Sequence, residues 1–379
     1  MTITPYKKKD GKTYYRFDIR LTVDDLTGET RSTSRSGFKT RKEAEIAYLR
    51  LKAGEETIKK QVPTFDTVYK HWLEQYKMTV RESTLNKTLG IFENHILPEF
   101  GHATVDRIKL AHCQKAVNSW FATHINFRVT ARYAERVLNY AIKEKHIKEN
   151  PFTHIVYPVK IDTVEDIEEE VINYLEKDEL FLVLEEAKKH QNPMWFPFFR
   201  LMAFSGMRRG EQLALTWSDV DFKNGKISIT KTRTTGLGNK QITQIPKTQK
   251  SIRTIDLDKA TLKALRLWKM QQTKILIDLG HKLKKDQLVF SNFKNGFLTF
   301  SSAGHRLDSL TKKAKVTRIT PHGLRHTHCY LLFEAGATIK EVMDRMGHSD
   351  MRTTMNIYNH VTSKKKQEVA NKFAEYVAF

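Results

Sequence analysis

Cysteine is nearly missing from this chain: two residues in 379, Cys113 and Cys329, far apart in sequence. That excludes a disulfide framework and a cysteine-based zinc site, and it fits a reducing cytoplasm. Long apolar runs are also missing. None approaches the roughly 20 residues needed to span a bilayer, and Met1-Thr2-Ile3-Thr4-Pro5 lacks the apolar core of a signal peptide. Acidic residues are in short supply, 43 against 65 Lys and Arg, for a formal net charge of +22. Such an excess repels itself unless a polyanion is the partner, which makes nucleic acid the first candidate and an anionic membrane surface a poor second. There is no Walker-type phosphate loop, no carboxylate cluster for two metals, no internal repeat and no low-complexity segment.

What is present reads as a soluble globular protein of more than one domain, 40% hydrophobic and 28% charged. The fold class expected is multidomain and mainly α with small antiparallel sheets (α+β). Residues 1–62 give two strands, Tyr14 to Leu21 and Glu29 to Phe38, around a turn at Asp24-Asp25-Leu26-Thr27-Gly28. A helix follows, capped by Thr40 with Glu43 at the capping-box position and Ala44, Ala47, Tyr48 and Leu51 on its apolar face. Residues 63–157 are helical. Phe65, Val68, Trp72 and Tyr76 fall at helical spacing, and further helices cover Ser83 to Ile96 (ended by Pro98), Leu110 to Phe121, and Thr130 to His146 (stopped by Asn150-Pro151). Residues 158–170 hold six carboxylates and no cation after Lys160, the composition of a solvated linker.

The last block, 171–379, opens with a helix at Lys177-Asp178-Glu179 that partly buries Leu180, Leu182, Val183 and Leu184. A buried helix, Phe196 to Phe204, comes next. Strands are expected around Ile227-Ser228-Ile229, Gln241 to Ile245 and Ile252 to Leu257, with Gly236 and Gly238 turning the chain. Helices are expected at 258–280, 300–314, 321–335 and 338–346.

Six polar residues of this block suit chemistry on a phosphodiester, each inside a short local pattern. Arg208 stands in Gly206-Met207-Arg208-Arg209-Gly210-Glu211, at the turn into a helix; a guanidinium forks onto two phosphate oxygens. Any single arginine is more often a surface residue, and Arg209 beside it competes; Glu211 reads as a structural partner. Lys247, in Pro246-Lys247-Thr248 at a strand end, competes with Lys240 and Lys250. His322 and Arg325 lie three apart on one face of a helix that starts at Thr320-Pro321, where the helix dipole favours an anion. His326 and His328 bring three histidines within seven residues, but no carboxylate or cysteine joins them at zinc-ligand spacing, so packing or supporting roles are expected. His348 follows Gly347, past a helix capped by Thr338 and Glu341; a helix C-cap is its bland alternative. Tyr358 comes ten residues later in Asn356-Ile357-Tyr358, after a short helical stretch; among 13 tyrosines it would ordinarily be core or surface. A phenol attacks at neutral pH only with a base and positive charge nearby.

In this order and spacing the set closely resembles the tyrosine recombinase (phage integrase) family, near the integrases of temperate phages and conjugative transposons. The resemblance covers 171–379 closely and 63–157 loosely, the latter as a core-site DNA-binding domain. Residues 1–62 resemble an arm-type DNA-binding domain by layout. It implies a site-specific recombinase that integrates and excises a mobile element through a 3′-phosphotyrosyl intermediate on Tyr358. Arg208, Arg325 and His348 would stabilise the phosphate, Lys247 would act as general acid and His322 would handle the tyrosine proton, with neither metal nor ATP. It further implies double-stranded DNA at core and arm sites and a homo-tetramer on paired sites. A C-terminal tail after Lys364-Lys365-Lys366 would dock on a neighbouring copy, an accessory excision factor and a host DNA-bending protein could join, and the setting would be a bacterial host's cytoplasm. The competing classes are a type IB topoisomerase-like enzyme, with similar chemistry, and a non-enzymatic DNA-binding regulator, which would not need the ordered set.

Overall fold

The computed structural model describes residues 2–8, 11–23, 30–52, 62–160, 173–246, 248–348, 351, 354–355 and 357–358. Lys247, residues 161–170 of the acidic linker, residues 171–172 after it, the first turn at 24–28 and the tail after Lys364 lie outside the described residues. The chain divides into two compact units, Met1–Thr79 with Leu89–Pro158, and Val80–Thr88 with Val159–Phe379. The described residues are mainly helical with three small antiparallel sheets. Among the described residues no helix is long and apolar enough to cross a membrane.

The first unit begins with a sheet ordered β1 (Ile3–Lys7), β2 (Thr13–Val23), β3 (Thr30–Phe38), followed by helix α1 (Arg41–Lys52). Alternation along β2 turns Phe17 and Ile19 inward, and Phe17 packs on Phe38 and on Tyr48 of α1. The α1 cap is local: the Glu43 backbone N–H donates to Thr40 Oγ1 (3.2 Å) and the Glu43 carboxylate accepts from the Thr40 N–H (3.3 Å). Strand β1 was not expected. Its paired residues, Ile3 to Lys7, include a proline and two polar residues, a pattern that shows as strand only once β2 supplies its partners.

Helices α2 (Phe65–Tyr76), α3 (Glu82–Ile91), α4 (Leu97–Phe100), α5 (Leu110–Thr123) and α6 (Phe127–Lys143) follow. An aromatic core of Phe65, Tyr69, Trp72, Phe92 and Trp120 joins most of them, which matches the spacing read in the sequence. Two boundaries differ. Pro98 does not end its helix: a π segment, Phe92–Ile96, leads from α3 into α4, and the Leu97 N–H reaches back five residues to the Phe92 carbonyl. A proline removes one helical donor and crowds the carbonyl four residues back; the widened turn absorbs both effects. Helix α6 stops at Lys143, well before Asn150-Pro151. Lys145 takes the left-handed conformation (φ 60°) and the His146 N–H closes onto the Ala141 carbonyl.

The second unit carries α7 (Lys177–Lys188), α8 (Trp195–Ser205), α9 (Arg209–Ala214), strands β4 (Val220–Asp221), β5 (Lys226–Ile229), β6 (Thr232–Thr235), β7 (Gln241–Gln244) and β8 (Arg253–Asp256), then α10 (Lys259–Asp278), α11 (Phe300–Ala314), α12 (Pro321–Glu334) and α13 (Ile339–Met346). Sheet β4-β5-β8 and helices α7, α8, α10, α11 and α12 share one apolar core; β6 and β7 form a separate hairpin. In α7 Leu180, Val183 and Leu184 are buried while Leu182 is exposed, because it falls on the opposite side of the turn. Cys113 and Cys329 are fully buried and burial pushes both thiols up to about 12, so neither is a reactive thiolate.

Candidate active site

Two helix ends build the site. Helix α8 ends at Gly206 and α13 at Gly347, both left-handed (φ 64° and 63°), the conformation that lets a helix stop and turn. The space beside Gly206 is filled: a Cβ there would meet His328 and Met346 side chains. Helix C-termini leave carbonyls unpaired and carry partial negative charge. Arg325 of α12, only 1% exposed, answers both ends: its Nη1 donates to the Gly206 carbonyl and its Nη2 to the Met346 carbonyl, each at 2.6 Å. Arg208, on the turn out of α8, donates from Nη2 to the next carbonyl, Gly347 (3.3 Å).

Glu211 of α9 is the single carboxylate at this junction bonded to both Arg208 and Arg253. It is 3% exposed. Its oxygens accept from the Arg208 N–H (2.9 Å), Arg208 Nη1 (2.9 Å), Arg253 Nη1 (3.3 Å) and Arg253 Nη2 (3.0 Å). Burial alone would raise its pKa, but Arg253 above all, and then Arg208, hold the carboxyl below the usual range. Glu211 is thus the orienting partner expected of it. Three guanidinium groups (Arg208, Arg253, Arg325) against one carboxylate leave two surplus positive charges. Burial first, and then Arg208, lower Arg325 to about 9, still protonated at neutral pH. An excess of packed cations of this kind favours an anion nearby.

The histidines near them are neutral at pH 7. His348 is lowered to about 3 by burial and then by Arg325 and Arg208, and its Nδ1 is hydrogen-bonded to Thr354 Oγ1 (2.7 Å). His322 stays open to solvent, yet partial loss of hydration, His326 and the Arg325, Arg208 and Arg209 charges hold it well below the usual imidazole range. Its helix is capped as expected, with the Gly323 N–H on Thr320 Oγ1 (3.1 Å) and Pro321 in the first turn. Arg208, Arg209 and His322 line one groove of about 650 Å³ with Lys87, Thr234 and Phe300. Arg209 is tied to the Phe300 carbonyl (3.1 Å) rather than to the Arg325 junction, unlike Arg208, the neighbour that the family pattern picks.

Tyr358 is half-buried in an apolar cluster with Phe333, Val342, Met346 and Ile357, its ring edge-on to Phe333 at 5.0 Å. Met346 belongs to that cluster too, and its backbone carbonyl accepts from Arg325. Of the six residues singled out, five are described: Arg208, Arg325 and His348 meet at one junction, His322 faces the adjoining groove, and Tyr358 packs on the apolar cluster that includes Met346. Lys247 lies outside the described residues; Pro246 and Thr248 on either side do not.

His328 has a packing role. Its Nδ1 is bonded to the Ala203 carbonyl (2.7 Å) and its Nε2 accepts from Arg345 Nε (3.0 Å), so both nitrogens are committed to protein rather than to a metal. Burial, then Arg345, lowers it to about 3. An unfolded histidine takes a proton near pH 6.5 and the folded one refuses it until about 3. Stability is therefore complete above pH 6.5 and falls progressively as the pH drops towards 3; His348 acts in the same direction. Denaturant titrations from pH 7.5 to 4.5 should show this loss, and a His328→Gln variant should show a shallower one.

Sequence reasoning gave no role to Arg253 and Arg345. Arg253 Nε also donates to the Arg345 carbonyl (3.0 Å), and Arg345 Nη2 to the Phe204 and Asp256 carbonyls, so the pair ties α8, β8 and α13 together. One signal existed: Arg253 stands two residues before apolar Ile255 in a strand, which puts a cation on the same, inward face.

Residues 173–365 match the family model described as the phage integrase family, residues 64–121 the phage integrase N-terminal SAM-like domain, and residues 5–53 an arm DNA-binding domain. Similar sequences include a XerC-like tyrosine recombinase of Caldanaerobacter subterraneus subsp. tengcongensis, 28% identical over 94% of this chain and 95% of that protein. The ICEBs1 integrase of Bacillus subtilis is 26% identical over 96% and 98%. Solved structures of similar fold include the Tn1549 transposon integrase in complex with a circular intermediate DNA (TM-score 0.62, 19% identity, 81% of this chain and 99% of that one). Another is a lambda integrase tetramer bound to a Holliday junction (TM-score 0.56, 15% identity, 93% and 94%).

Proposed function

This chain belongs to the phage integrase family, and we propose that it is a site-specific DNA recombinase that integrates and excises a mobile element such as a prophage or conjugative transposon. The observation that carries this is the convergence of Arg208, Arg325 and His348 on two helix ends, with Tyr358 packed on the apolar cluster to which Met346, the last residue of one of those helices, belongs. In the proposed reaction the Tyr358 oxygen attacks the scissile phosphorus. A phosphotyrosyl ester to the 3′ side forms, the bond from phosphorus to the 5′ oxygen breaks, and Lys247 gives that oxygen its proton. The phenol proton passes to His322, which is neutral without DNA; the charge of a bound phosphate offsets the cations that lower its proton affinity. Arg208 holds non-bridging oxygens, Arg325 adds positive field from below, and His348 donates from Nε2 while Thr354 occupies Nδ1. A 5′-hydroxyl of the partner strand then attacks the phosphotyrosine and reverses the step, so the ester's energy is retained.

The partner is double-stranded DNA, bound at core and arm attachment sites in the host cytoplasm, with four copies on paired sites. An accessory excision factor and a host DNA-bending protein belong to the same reading. The test is to trap the protein on a nicked duplex carrying its attachment core and to locate the linkage by mass spectrometry. The expected adduct is a 3′-phosphate on the Tyr358 peptide. A 5′-phosphate adduct, or a different tyrosine, would overturn the assignment.

A further inference from the structure

The hairpin β6–β7 leads directly into Pro246 and Lys247, and one short segment of the same unit grips it. Arg81, just ahead of α3, donates from Nη1 to the Ile245 carbonyl (2.7 Å) and from Nη2 to the Pro246 carbonyl (3.3 Å). At the other end of the hairpin, the carboxylate of Glu82 accepts from the Leu237 N–H (2.8 Å), and Asn86 reaches Asn239 (3.4 Å). The fit is close: a Cβ on Gly236 would collide with the Glu82 carboxylate. Residues Val80–Thr88 belong with the second unit, so these bonds lie within one compact body.

From Thr248 the chain closes a turn: the Ser251 N–H donates to the Thr248 carbonyl (3.0 Å) and the two hydroxyls are 2.9 Å apart. Two carbonyls in a row, Ile245 and Pro246, are held by Arg81, and a turn closes between Thr248 and Ser251. The carbonyl contacts come from a guanidinium, whose rigid fork can take two acceptors at once. We propose that Arg81 is a positioning residue for the reaction: it holds the Ile245-Pro246 backbone so that Lys247 is placed to protonate the leaving oxygen. Glu82 anchors the far end of the same hairpin. This rests on Lys247 being the general acid.

A leaving group that needs no proton separates the possibilities. In a duplex whose scissile 5′ oxygen is replaced by sulfur, the departing thiolate is stable without protonation, so a defect in proton donation disappears. General acid catalysis contributes about 10²–10⁴-fold. Single-turnover cleavage of the oxygen duplex should fall by that range in Lys247→Ala and by roughly 10- to 100-fold, part of the same term, in Arg81→Ala. Both variants should approach the unaltered protein on the sulfur duplex. Arg81→Lys, which keeps one donor, should recover part of the loss, and duplex binding should be unchanged in all three.

If Arg81→Ala is equally slow on both duplexes, or unimpaired on the oxygen duplex, while Lys247→Ala is rescued by sulfur, the role given to Arg81 is wrong. If Lys247→Ala itself is not rescued, the general-acid assignment fails and this inference fails with it.

Discussion

Tyr358→Phe is expected to bind the attachment core as tightly as the unaltered chain and to form no covalent adduct on a nicked duplex. The substitution removes the one atom that would be esterified and leaves the ring. The edge-on packing on Phe333 at 5.0 Å and the place of the ring in its apolar cluster are those of a phenyl group and survive. Loss of a single hydroxyl on a half-buried side chain costs about 1 kcal/mol or less, so the fold remains. The cations that would hold phosphate, Arg208 and its neighbours, are untouched. Binding and chemistry should therefore separate cleanly, with mobility-shift affinity unchanged and denaturing gels empty of adduct. An adduct in this variant would mean that another group is the nucleophile.

Glu211→Ala is expected to lose both stability and activity. The carboxylate is buried between Arg208 and Arg253, and the Arg253 side chain is 7% exposed. Removing one partner of a buried ion pair leaves the other charge dry and unpaired, which costs about 3–5 kcal/mol. Arg208 also loses its anchors to Glu211, and a shift of about 1 Å in such a group lowers a rate by on the order of 10²-fold. Glu211→Gln keeps the size and one acceptor and should fall between the two. The acid side distinguishes them further. The folded carboxyl ionises below the ordinary value of 4.5, so its stabilisation is present above that pH and is lost as the pH falls through the folded value. Glu211→Gln should lack that part of the acid sensitivity in denaturant titrations. Equal stability of Glu211→Ala and the unaltered chain would contradict the geometry.

The helix caps were legible because they are short-range. Thr40 with Glu43, Thr320 with Gly323 and Thr338 with Glu341 each close a bond across three residues, and the sequence prints both partners side by side. The apolar spacing of α2 and the alternation of β5 were legible for the same reason: the period of one element is written in that element. Most of the site residues were legible as pattern, in order and spacing, but their meeting was not. Pro98 misled because its effect depends on whether the turn before it can widen, which the packing of Phe92 and Ile96 decides.

By itself the sequence determined the class of partner, through a surplus of cations that only a polyanion neutralises, and it determined which short patterns carry polar chemistry. Tertiary structure alone decided that Arg253 closes on Glu211 across 42 positions and that Arg81 reaches Pro246 across 165. It also decided that Arg208, and not Arg209, joins Arg325 at the ends of α8 and α13. A guanidinium has the same chemistry wherever it stands, and its role is set by which carbonyls and carboxylates the fold brings within hydrogen-bond reach.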